Sequence, residues 1–200
     1  MPAPPTSLSQ LDALLDDATL WGLELDARYR VLAATVELSP QAWPWEPPAG
    51  GDHRVQLLCS PVSTILASFR RVEAGEAAVY IFTVDQLIDV AATFGGAPLL
   101  APRFGQPEPR PTQWAPQWSL EGRSTAPDGR STTVTLGVRQ ADGDARLELD
   151  VFARLDDVQV NDEAGTTLVT LHGGPGGASG SGGPGGILGL DLGLRGSGDA

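Results

Sequence analysis

The sequence predicts an α+β fold that is mainly antiparallel β, with hairpins, a C-terminal meander and two short helices, followed by a disordered Gly-rich tail. Three observations predict it. Two long runs alternate apolar and polar residues with the period of a strand, at Thr132–Val138 and Leu147–Leu155. Asp-Gly pairs at Asp128-Gly129 and Asp142-Gly143 flank these runs and supply the turn chemistry of tight hairpins. At Gly173 the composition changes abruptly: 13 of the last 28 residues are Gly, too many to pack a core.

The elements follow in chain order. Leu8, Leu11, Leu14 and Leu15 make an apolar stripe, with Ser7 and Gln10 at capping-box spacing, which predicts a helix over 8–19. From Trp21 the period becomes that of strands, and 21–26 with 29–38 read as a hairpin about Ala27. Proline and glycine make 43–51 a loop. A strand pair is expected at 54–59 and 64–72, interrupted by Ser60-Pro61, then a buried strand at 79–82. Val84, Leu87, Ile88 and Ala91 step at helical spacing until Gly95-Gly96. The prolines of 97–117 predict an extended crossover loop that divides the chain into two halves. Residues 118–171 read as a meander closing with Thr167–Leu171. The organisation expected is a globular unit over 1–172, a flexible linker over 173–186 and an interaction peptide over 187–200.

Composition excludes several functions. The formal charge is −12 and all 13 basic residues are Arg, which argues against nucleic acid or an anionic membrane as partner. Without Lys there is no Walker-type phosphate loop, Schiff base or Ser-Lys dyad. One Cys forbids an intrachain disulfide, and Cys59 among Val55, Leu57 and Leu58 reads as a small core residue. No basic stretch followed by an apolar one opens the chain and no apolar run reaches membrane-spanning length, so a cytoplasmic location is expected. The wealth of Ala, Gly, Pro and Arg suits a GC-rich bacterial source.

No residues assemble nucleophile, base and oxyanion donors, so neither a catalytic role nor a cofactor or metal is assigned. Gly180-Ser-Gly-Gly-Pro-Gly185 matches a dinucleotide fingerprint only formally, because no strand leads into it. Asp52-His53 lies in a Gly-rich loop, and Asp156-Asp157 with Asp162-Glu163 fit no calcium-loop spacing. Trp43, Trp45 and Trp114 are candidates for a surface patch, although pinning their loops to the core is the simpler role.

The tail is the informative segment. Gly173–Gly186 is a tether with a reach of roughly 20 Å. After it, Ile187, Leu188, Leu190, Leu192 and Leu194 return as five aliphatics in eight residues, with Asp191 and Arg195 among them. Such a cluster on a solvated arm calls for a partner's groove, bound weakly per copy and strengthened by multivalency. Asp191-Leu-Gly-Leu-Arg195 at the end of a Gly/Ser/Pro linker resembles the C-terminal targeting peptides of encapsulin cargo proteins. The resemblance implies that Leu192 and Leu194 enter apolar pockets on a shell's inner wall, supplemented by Ile187, Leu188 or Leu190. Residues 1–172 resemble no cargo enzyme. The leading expectation is a non-enzymatic adaptor recruited to a larger assembly through 187–195. The alternatives are a small-molecule-binding or enzymatic β-rich domain with a passive tail, and an oligomeric structural subunit.

Overall fold

The computed structural model describes residues 3–46, 53–101, 103–109, 115–124 and 131–173. The sheet is antiparallel throughout, and two short helices accompany it. Helix α1 is Leu8–Leu14 and α2 is Leu87–Ala92. The strands are β1 (Thr19–Asp26), β2 (Val31–Glu37), β3 (Arg54–Glu73), β4 (Glu76–Tyr80), β5 (Ala97–Pro98), β6 (Leu120–Arg123), β7 (Thr132–Asp142), β8 (Ala145–Asn161) and β9 (Thr167–His172).

A long ribbon organises the fold: β3 and β8 pair from Gln56↔Asn161 to Val72↔Arg146. β2 holds β3 over 54–59, whereas β7 holds β8 over 145–155, so the flanking strands grip opposite ends of the ribbon. The ribbon bends between them, at a register shift between Val62 and Thr64, as a bulge allows. The sheet then runs β5-β1-β2-β3-β8-β7. It closes on itself. Leu99 and Phe104 bridge β7 at Val138 and Val134, and main-chain bonds join Leu99 N–H to Ala18 O (2.9 Å) and Leu100 N–H to Gly137 O (2.9 Å). The result is a small barrel whose inward side chains, among them Leu23, Leu32, Leu57, Val134, Leu149 and Leu155, are almost fully buried. β4 and β6 extend β3, and β9 extends β8.

The crossover segment therefore joins the halves that its prolines were expected to divide. The bonding groups come from the residues between the prolines, Leu99, Leu100, Arg103 and Gly105, so the missing N–H groups of Pro98 and its neighbours cost no ladder bond. The expected strand pair at 54–72 is one strand. Pro61 falls where β2 has ended at Cys59 and β6 has not begun at Thr64, so its lack of a donor is tolerated. The expected buried strand at 79–82 is instead the exposed arm of a hairpin, β4, and Ile81 is 75% exposed. Its aliphatics pair with the edge of β3 and only Phe82 turns into the core. β6 pairs with β3, so the meander proper is β7-β8-β9.

Helix α1 stops earlier than its periodicity predicts. Asp17 takes a left-handed conformation (φ 65°), and Ala18 N–H bonds Leu15 O, turning the chain into β1. Ser7 accepts from Gln10 N–H (3.3 Å), while the Gln10 side chain accepts from Thr6 N–H (2.7 Å), so the reciprocal cap reaches one residue further back than expected. Leu11 and Leu15 seal one end of the barrel, each burial worth about 1.5–3 kcal/mol. α2 packs on β1 and ends at Ala92, and the turn that follows it closes at Gly96, whose φ of 81° suits glycine. The linker beyond Gly173, the peptide 187–200 and the Asp128-Gly129 turn lie outside the described residues.

Candidate functional site

The residues that point to function fall into four groups. The expected contact residues Ile187, Leu188, Leu190, Asp191, Leu192, Leu194 and Arg195 lie outside the described residues, but the root of the tail is defined. β9 pairs with β8 and, among the described residues, with no other strand. Its last residue, His172, contacts Asp157 (Nδ1–Oδ1 2.7 Å), and Gly173 N–H bonds Asp156 O (2.8 Å). The register sets Ser60, Asp157 and His172 in a row across β3, β8 and β9. Because the carboxylate stands between hydroxyl and imidazole, the row does not have the Ser-His-Asp order that relays a proton from a nucleophile.

The tryptophans divide. Trp43 is buried, donates from Nε1 to Glu46 O (3.1 Å), and meets Trp45 and His53 edge to face at 5.4 and 5.2 Å. It holds its loop against the core. Trp45 is half-buried and packs on the same cluster; Trp114 lies outside the described residues. Trp21, 42% exposed, sits at a bulge in β1, donates to Glu37 (2.6 Å) and carries the Arg54 guanidinium 4.6 Å over its ring. Cys59 faces the core, and burial pushes its thiol up to about 12, so it is no nucleophile at neutral pH.

A charged network ties β3, β8 and β7 on one face, where Arg70, Glu148 and Arg139 stand opposite one another in register. Arg70 reaches Glu148 (2.6 Å) and Asp150 (3.1 Å), Arg139 reaches Asp150 (2.9 Å), and Arg146 reaches Glu148 (2.6 Å). Each carboxylate is shared between guanidiniums and so is engaged as a brace rather than poised as a base. Among the described residues, no group of three or more His, Cys, Asp or Glu is placed to hold a metal ion.

The fourth group is a small cleft of about 20 Å³, room for about one water molecule and open to solvent, between the β1–β2 turn, the bend of β3 and the end of β6. Its lining is almost wholly apolar, with Leu25, Val62 and Ile65 beside Arg30, Thr64 and Ser124. Arg30 is left-handed (φ 56°), and its carbonyl accepts from Val62 N–H (2.8 Å), which fixes the turn onto the bend of β3. Compared with models of protein families, with curated proteins and with solved structures, the chain matches none. Its own residues carry the functional reading.

Sequence reasoning passed over both the cleft and Arg103. The cleft is built from three distant segments that only the sheet register brings together. Arg103, read as part of a loop, is 1% exposed and donates to Asp12 O (2.9 Å), Asp12 Oδ1 (3.0 Å) and Asp16 Oδ1 (3.2 Å). It clamps the closing segment onto α1. No helix among the described residues is long and apolar enough to cross a membrane.

Proposed function

We propose that this protein is a cytoplasmic, bacterial, non-enzymatic adaptor, recruited to a larger protein assembly through its C-terminal apolar peptide. The observation that carries the reading is that residues before Gly173 close and fill their own barrel, and that the chain leaves this barrel from β9, the outer strand beside β8. On this reading the leucines past the glycine linker serve a partner's pocket rather than the interior that β1–β9 bury. Leu192 and Leu194 would each gain about 1.5–3 kcal/mol in a partner's pocket, less the ordering of a Gly-rich segment. Asp191-Leu-Gly-Leu-Arg195 favours the inner wall of an encapsulin-type shell as that partner.

The test is transfer of the peptide. Residues 187–200 fused to a fluorescent protein are expected to be enclosed by a co-expressed encapsulin shell, and replacing Leu192 and Leu194 with Ser is expected to abolish enclosure. A fusion left wholly outside the shell ends the shell version. If deletion of 186–200 leaves the protein's own assembly in its host unchanged, the recruitment reading fails as a whole.

A further inference from the structure

We propose that the free edge of β4 pairs with the same edge of a second copy, joining two barrels through one continuous antiparallel sheet, independently of the C-terminal peptide. The argument begins with the hairpin that makes the edge. Ala74 and Gly75 are both left-handed (φ 52° and 88°), which makes a two-residue turn closed by the Glu73↔Glu76 pair. In the ladder that follows, alternate residues turn their main-chain groups to the neighbouring strand. Glu76, Ala78 and Tyr80 therefore face β3, in step with Phe82, whose N–H bonds Ser119 O (3.1 Å) on that side. Ala77 and Val79, with Ile81 just past the end of the strand, turn theirs outward. Among the described residues, β4 pairs with β3 and no other strand.

This edge lacks the usual protection. Free edges are commonly blunted by Lys, Pro or a bulge, and β4 has none of the three. It leaves Tyr80 43% and Ile81 75% exposed, whereas β9, another outer strand, exposes no large apolar side chain. The order of side-chain sizes selects a second copy as the occupant. A two-fold axis at Val79 sets Val79 beside its own copy, Ala78 beside Tyr80 of the copy, and Ala77 beside Ile81 of the copy. Each large side chain then lies over a small one, and the outward main-chain groups of Ala77, Val79 and Ile81 meet their like. Glu76, the one charge in the strand, falls opposite Phe82 rather than opposite the other carboxylate. Because each chain carries a formal charge of −12, long-range repulsion opposes the contact and salt relieves it. A basic segment bound near Glu73 and Glu76, the competing occupant, has the opposite salt dependence.

Sedimentation equilibrium of the full chain tests the proposal. A monomer–dimer equilibrium is expected, with a dissociation constant on the order of 10–100 μM for so short a contact. Raising the salt to about 0.5 M is expected to tighten it. Val79→Pro removes an outward N–H and no bond to β3, so the protein is expected to stay folded by circular dichroism while the dimer weakens at least about tenfold. Ile81→Glu is expected to weaken it similarly, and Thr170→Glu on the exposed side of β9 to leave it unchanged. A chain that stays monomeric up to about 0.5 mM would overturn the proposal, as would undiminished pairing of a folded Val79→Pro protein. A dimer that survives Val79→Pro but disappears when 187–200 are deleted would overturn it in favour of the peptide.

Discussion

At the residue scale, the most consequential side chain is Arg103. A guanidinium at 1% exposure is tolerable because the carbonyl and carboxylate of Asp12, the carboxylate of Asp16 and, at 3.5 Å, the carbonyl of Leu99 surround it. Asp16 is 64% exposed and screened, so Asp12 supplies most of the compensation. Asp12→Ala strands the buried charge and is expected to cost about 3 kcal/mol in urea unfolding, whereas Arg103→Met removes charge and need together and is expected to cost less. A larger loss for the methionine variant would show that the pair itself stabilises the clamp. Cys59 gives a second prediction. Its folded thiol titrates at about 12 against an ordinary value of 9.0, so the folded state holds its proton where the unfolded state loses it. Stability is therefore undiminished below about pH 9 and falls as pH rises towards about 12, by about 1.4 kcal/mol per unit. Cys59→Ala is expected to lower stability at neutral pH through the lost packing while flattening the alkaline decline; an unchanged slope would refute the assignment.

At the element scale, Gly137 on β7 shows how tightly the closing segment is seated. A Cβ there would lie 2.9 Å from Asp150 Oδ1 and 3.4 Å from Leu100 Cδ1. Gly137→Ala must push either the carboxylate away from Arg139 or Leu100 away from the seam, and is expected to cost about 1–3 kcal/mol. Amide exchange is expected to quicken first at Leu100 and Thr135, whose N–H groups bond across the seam, and exchange that quickened uniformly would mean the seam is not a separate unit. This seam is also where the sequence was hardest to read. The β1–β2 hairpin announced itself because β2 hides one face, and alternation is a local property, whereas β8 alternates in sequence although residues 148–153 are buried on both faces. The pairing of 97–105 with both β1 and β7, and the run of β3 through Pro61, depend on what lies beside each backbone donor, which no local pattern encodes. The cleft was hidden for the same reason. Arg30, Thr64 and Ser124 have nothing in common until the bend of β3 collects them, whereas the tail, which composition alone sets apart, lies outside the described residues.

At the scale of the whole molecule, the question is whether residues 3–173 form a finished object. Closure of the barrel through Leu99 and Phe104, α1 over one end and the clustered apolar core all say that they do. The tail should then be thermodynamically separate: truncation after Gly173 is expected to leave the urea midpoint and its slope unchanged within about 0.5 kcal/mol. Were Leu188, Leu190, Leu192 and Leu194 part of the interior, their loss would remove several buried side chains at about 1.5–3 kcal/mol each and reduce the slope as well, an effect too large to miss. The result also decides between functional readings. A truncated chain with full stability and lost assembly leaves the leucines free for a partner, whereas one with lost stability returns them to this protein's own core and removes the basis for recruitment.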